Sequence, residues 1–173
     1  LVHYVIIGHS ERRIHFHESY EEISQKVAAA VRNGITPVLC VGETQEERHN
    51  GETKQVLHDQ ITTALSHLTA AEVGQIVIAY EPVWAISTFG GELAKPGDIQ
   101  RQFEFIRGQI AELYTKKASQ SVRVLYGGSV DDQLAGGYLQ IPGCDGVLVG
   151  GASLNYHKFS GIIDAAYRAQ NTA

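Results

Sequence analysis

Gln75-Ile76-Val77-Ile78-Ala79-Tyr80-Glu81 is a continuous apolar run closed by a carboxylate, with Pro82 immediately after it. A strand with one wet face alternates apolar and polar side chains. A run without alternation belongs to a strand covered on both faces, the habit of parallel sheets. Runs of the same kind recur at Tyr4 to Gly8, Thr36 to Gly42, Val122 to Gly127 and Gly146 to Gly150. Helical patterns fill the gaps. Ile23, Val27, Ala30 and Val31 form one stripe ahead of a stop at Gly34, and Val56, Ile61, Leu65 and Leu68 mark a second helix. Pro96 opens a third with Ile99, Phe103, Ile106, Ile110 and Leu113. A short helix follows Asp131, and the last runs through Phe159, Ile162, Ile163 and Ala166. The result is five strand–helix units, one about every 35 residues, a length suited to βαβ repeats. Such alternation predicts a parallel α/β sheet with helices outside it. Five units suit an open doubly wound sheet or part of an eight-unit barrel, and periodicity does not choose between them.

Composition sets limits on function. The 173 residues are 43% apolar and 19% charged, ordinary for one globular domain and unlike a disordered tail or a fibre. No apolar run reaches membrane-spanning length, and no signal-peptide pattern opens the chain. The net charge of −5 argues against a nucleic-acid partner. Cys40 and Cys144 lie far apart and match no metal spacing, as suits a reducing cytosol. The chain begins at Leu1 and contains no methionine, so it is expected to be the interior of a longer product.

The unusual polar residues cluster just after the expected strands, where parallel α/β folds bind their ligands. In Gly8-His9-Ser10-Glu11-Arg12-Arg13, Ser10 is the expected helix cap and Glu11 suits the first turn. A histidine there has its cation disfavoured by the helix terminus and acts as a neutral donor. Taken alone, His9 reads sooner as a hydrogen-bonding residue of a surface turn. Glu81, at the end of an apolar strand, suits general-base work or a structural ion pair with a neighbouring loop. Trp84, the sole tryptophan, reads as packing that could anchor a mobile loop. The pairs Gly127-Gly128, followed by Ser129, and Gly150-Gly151 let backbone N–H groups approach an anion. Cys40 reads as a small buried apolar residue, and Glu43 as a structural acid bonded to backbone or to Arg48.

Together, Gly8-His9-Ser10-Glu11-Arg12-Arg13, Cys40-Val41-Gly42-Glu43, Ala79-Tyr80-Glu81-Pro82-Val83-Trp84-Ala85-Ile86, Tyr126-Gly127-Gly128-Ser129-Val130 and Leu148-Val149-Gly150-Gly151-Ala152-Ser153-Leu154 resemble the triosephosphate isomerase family, in that order along essentially the whole chain. The resemblance implies a (β/α)8 TIM barrel, of which residues 1–173 are a single-domain portion comprising strands four to eight. It implies interconversion of dihydroxyacetone phosphate and glyceraldehyde 3-phosphate without metal or organic cofactor. Glu81 matches the family's base, His9 its neutral electrophile and Glu11 the acidic neighbour in that motif. Ser87, Ser129, Gly150 and Gly151 match backbone positions that hold the phosphate. Tyr126 and Ser129 match hydroxyls that hold a closed lid, with Trp84 as a further lid support. The expected natural product is a cytoplasmic homodimer acting on a triose phosphate, with no nucleic-acid or membrane partner.

The chain departs from the family pattern at several points. The lid, Ala85 to Lys95, is about two residues longer than usual, and Ser87 replaces a glycine, which predicts backbone strain. The lid is expected to be mobile without ligand. His17 replaces a glycine before Glu18, and Leu134 replaces an asparagine, which predicts a missing helix-start bond. The first three βα units are absent, with the asparagine and lysine they carry and a main dimer loop. The 173 residues alone are therefore expected to be inactive. The competing expectation is a noncatalytic sugar-phosphate-binding barrel segment. A generic nucleotide-binding sheet is disfavoured, because no Gly-x-Gly-x-x-Gly follows the first strand.

Overall fold

The computed structural model describes residues 2–89 and 91–171. In chain order these form β1 (Tyr4–Ile7), α1 (Ser10–His15), α2 (Tyr20–Arg32), β2 (Thr36–Val41), α3 (Gln45–His49), α4 (Thr53–Leu65), α5 (Ala70–Val73) and β3 (Val77–Tyr80). After a 3₁₀ turn at Val83–Ala85 come α6 (Pro96–Leu113), α7 (Lys116–Ser121), β4 (Arg123–Tyr126), α8 (Ala135–Leu139) and β5 (Gly146–Val147). A second 3₁₀ turn at Gly151–Leu154 leads into α9 (Tyr156–Asn171). The strands form one parallel sheet in sequential order.

Period-two alternation sorts the strand residues into two layers. Leu39, Val41, Ile78, Tyr80, Val124 and Tyr126 join Ile23, Leu57, Ile61, Ile99, Phe103 and Ile106 from the helices in the main core. Val38, Cys40, Val77 and Ala79 pack on the opposite face, with Leu125 beside them. Both faces of β2 and β3 are covered, which is why their sequences do not alternate. At β1 the second face is open, and Tyr4 and Ile6 are about half exposed. The expected fifth strand is shorter than its apolar run. Only Gly146 and Val147 are strand residues, although the Leu148 N–H still donates to the Tyr126 carbonyl at 2.8 Å.

The helices start and stop for local reasons. A reciprocal Ser19–Glu22 capping box opens α2, and Gly34 closes it at φ +69°. Pro96 is the first residue of α6, as expected, but Leu68 lies beyond the end of α4. Leu134 caps α8 without a side-chain bond, and the Asp131 carboxylate instead accepts from the N–H groups of Gln133 and Leu134. On α9, Ile162 is buried while Phe159 and Ile163 are exposed, so only part of the expected stripe is covered.

Among the described residues, His17 is the only non-glycine with a positive φ, +52°. Ser87 is not in that region, so the strain expected of it is absent and resides at His17 instead. His17→Gly should stabilise the fold by about 0.5–1 kcal/mol, the left-handed penalty less glycine's extra unfolded-state entropy. Urea unfolding would show this, and a lower midpoint for the glycine variant would contradict it.

Candidate active site

The strand ends gather the polar residues by backbone geometry. Gly8, at φ +73°, turns the chain out of β1 and sets His9 at the N-terminus of α1. Arg13 fixes this corner, with Nε donating to the Gly8 carbonyl at 2.7 Å and Nη2 donating to the Cys40 carbonyl at 3.0 Å. The helix cap is His9 and not Ser10. His9 Nδ1 accepts the Glu11 N–H at 3.4 Å, while Ser10 is already the first helical residue. An acceptor at Nδ1 puts the neutral imidazole's proton on Nε2. That nitrogen lies 2.7 Å from Glu81 Oε1. Glu81 Oε2 accepts the Ser10 N–H at 3.0 Å. The carboxylate, 3% exposed, therefore has both oxygens engaged by the loop after β1.

The hydrogen bond to Glu81 raises the His9 pKa above its ordinary value, with burial working against it and the charge of Glu11 adding to the rise. The sequence expectation, a cation disfavoured by the helix terminus, is reversed here. A carboxylate in contact outweighs the partial charge of a short helix.

The backbone of Glu81 is clamped between neighbours. Its N–H donates to the Val41 carbonyl at 2.7 Å, and the Gly127 N–H donates to the Tyr80 carbonyl at 2.8 Å. Beyond Pro82, Trp84 is buried and donates Nε1 to Glu43 at 2.9 Å, and the Tyr80 hydroxyl donates to both Glu43 oxygens at 3.2 Å. Burial raises the Glu43 pKa, opposed chiefly by the Trp84 bond. The expected Arg48 partner goes elsewhere. Its guanidinium pairs with Asp98 at 3.2 Å and lies 3.9 Å over the Trp84 ring. Burial pushes the Cys40 thiol well up, in keeping with a packing role.

One open cleft of about 810 Å³ brings together His9, Glu11, Glu81, Ser87, Ser129, Gly150 and Gly151. Tyr126 and Trp84 are not in its lining. The Tyr126 hydroxyl is buried under Gly128, where an added Cβ would stand 2.2 Å from it, and its ring lies 4.3 Å from that of Tyr138. Ser129 turns both donors, N–H and Oγ, to the Ala85 carbonyl at 3.0 and 2.8 Å, tying the loop after β4 to the 3₁₀ turn at Val83–Ala85. In the segment expected to form the lid, Phe89 stacks on His15 with ring centroids 6.0 Å apart, and residue 90 lies outside the described residues. Gly150 and Gly151 have nothing within 4 Å of a built Cβ, so the space beside them is open.

Three residues near the site escaped the sequence reading: Arg13 at the corner, Gln60 behind Gly42, and Lys158, which lines the cleft. Lys158 had a signal, a lone cation in the first turn of the helix after Gly150-Gly151. Gln60 had none. Among the described residues, no group of three His, Cys, Asp or Glu is placed to hold a metal ion. No described helix is long and apolar enough to cross a membrane.

The sequence matches a family model described as triosephosphate isomerase over residues 1–166. A triosephosphate isomerase of Chlamydia caviae is 45% identical over 162 residues, covering 94% of this chain and 62% of the relative. That of Citrifermentans bemidjiense is 46% identical, covering 92% and 63%, and that of Symbiobacterium thermophilum is 46% identical, covering 96% and 64%. The chain thus spans less than two thirds of the length of these relatives. The ordered strand-end motifs, the parallel βα units and a match running through nearly all of its length place the chain in the triosephosphate isomerase family.

Proposed function

We propose that this chain carries the acid–base site of an enzyme interconverting dihydroxyacetone phosphate and glyceraldehyde 3-phosphate. The observation that carries the proposal is the 2.7 Å contact of His9 Nε2 with Glu81 at one end of a cleft that Gly150 and Gly151 also line. Abstracting a proton beside a carbonyl requires a base over the carbon and a donor on the carbonyl oxygen. Glu81 takes the proton, and the C–H electron pair becomes the C=C bond of an enediolate. His9 Nε2–H stabilises the oxygen that gains charge. Glu81 then returns the proton to the adjacent carbon, while His9 Nε2 gives its proton to the former carbonyl oxygen and takes one from the neighbouring hydroxyl, so the net reaction moves hydrogen without redox change. Substrate must first displace the carboxylate from His9 and Ser10.

The first N–H groups of the Gly151–Leu154 turn lack intrahelical acceptors, and together with Gly150 they form the phosphate grip. Ser87 adds a donor when the lid closes, Ser129 adds one only by releasing the Ala85 carbonyl, and Glu11 supports the His9 end. Tyr126 and Trp84 steady the lid from beneath. Residues 1–173 are, in this scheme, strands four to eight of one eight-stranded barrel domain, and the natural product is a cytoplasmic homodimer. With β1 open on one face, the 173 residues alone should show no turnover until further strands complete the wall.

The experiment pairs turnover with phosphate binding in the natural product that carries these residues. That product should isomerise triose phosphate. Gly150→Val, whose side chain enters open space, should weaken phosphoglycolate binding about 10-fold or more in calorimetry of the folded variant. Binding with no turnover would instead support the noncatalytic alternative, and unchanged affinity in the variant would remove the phosphate grip from Gly150.

A further inference from the structure

We propose that Gln60 is a positioning residue for Glu81, acting through Gly42. Gln60 lies on α4, outside the sheet, and is only 5% exposed. Its side-chain amide uses both ends on one residue. Oε1 accepts the Gly42 N–H at 2.8 Å, and Nε2 donates to the Gly42 carbonyl at 3.1 Å. Gly42 sits just past the end of β2, where the strand ladder no longer pairs the backbone.

Gly42 is also the surface on which the Glu81 backbone rests. A Cβ at Gly42 would stand 2.0 Å from the Glu81 carbonyl oxygen and 2.5 Å from its carbon. The bonds on either side belong to the same seam, since the Glu81 N–H reaches the Val41 carbonyl at 2.7 Å and the Val83 N–H reaches the Glu43 carbonyl at 3.0 Å. Gln60 locks the middle of that seam. It thereby fixes the backbone from which the Glu81 side chain reaches His9 and Ser10. The kinetic consequence rests on the isomerase function proposed above, but the structural consequence does not.

Gln60→Met removes both bonds at similar volume, and imidazole NMR of the natural product follows His9. The charges acting on His9 are those of Glu81 and Glu11, so a displaced Glu81 lets the His9 pKa fall toward its ordinary value. Glu81→Gln supplies the reference for His9 without its charged partner. In the same Gln60→Met variant kcat should fall about 10²-fold with KM little changed, because a small misplacement of the base acts on the chemical step. Gln60→Glu should restore both while its buried acid is protonated, since a carboxylic acid donates and accepts like the amide. On ionisation it loses the donor, adding a descending limb to the pH profile of kcat that wild type lacks.

A folded Gln60→Met protein with wild-type His9 titration and kcat overturns the proposal, whatever happens to thermal stability. If Gln60→Met does not fold, the absence of the extra limb in Gln60→Glu overturns it. A shifted His9 in Gln60→Met, together with a wild-type protein that binds phosphoglycolate but does not isomerise triose phosphate, upholds the positioning role and defeats the isomerase function.

Discussion

Glu81→Gln is expected to lower isomerisation by about 10²–10⁴-fold, the usual contribution of a positioned general base. The fold should survive, because the amide matches the carboxylate in shape and its oxygen can still accept the Ser10 N–H at the position Oε2 now holds. What is lost is the basic oxygen facing His9 Nε2. The His9 pKa should also fall toward its ordinary value, since its chief raising influence is the Glu81 bond. In linkage terms, a raised histidine pKa adds stability that is fully present below about 6.5 and disappears as pH rises through the raised value. The wild type should therefore gain on the variant as pH falls through that window. Near-native turnover by a folded Glu81→Gln protein would falsify the base assignment.

The second large effect is expected at a residue with no chemistry of its own. Gly42→Ala should destabilise the protein by about 3 kcal/mol or more, at the upper end of overpacking. The clash at 2.0 Å is with the backbone of Glu81, so no side-chain rotation relieves it. Gly108, within α6 and with nothing inside 4 Å of its built Cβ, is the matched control, where alanine should be neutral or stabilising. Urea midpoints of the two variants would separate the cases. A Gly42→Ala protein as stable as wild type would mean that the seam between β2 and β3 yields freely.

The parts of the fold that were legible in the sequence are those governed by local rules or by burial on both faces. β2 and β3 read as strands because no solvent-facing side chains interrupt them. Gly34 and Pro96 marked the ends they actually mark. Gly146 to Gly150 misled because Val147, Leu148 and Val149 form an apolar, largely β-branched run, whereas only Gly146 and Val147 are strand in the structure. The exposed side of α9 was likewise unreadable, since a helical stripe shows that a face is apolar and not what covers it.

The site divides in the same way. Strand-end position singled out His9, Glu81 and the glycine pairs, and the cleft collects His9, Glu81, Gly150 and Gly151. The contact between Ser10 and Glu81 spans 71 positions and is made by the parallel register, which joins Val41 to Tyr80. No local spacing contains it. The same long-range charge inverted the expectation for the His9 cation. Gln60 was invisible for a simpler reason: an amide on the buried side of a helix has no signature until its backbone partner is known.

The most direct test is proton exchange with solvent, followed by NMR in D2O with dihydroxyacetone phosphate and the natural product that carries these residues. Deuterium should enter at the carbon beside the carbonyl as glyceraldehyde 3-phosphate forms, and both signals should fall together in Glu81→Gln. Phosphoglycolate binding without deuterium incorporation, or incorporation undiminished in Glu81→Gln, would contradict proton transfer by this pair of residues.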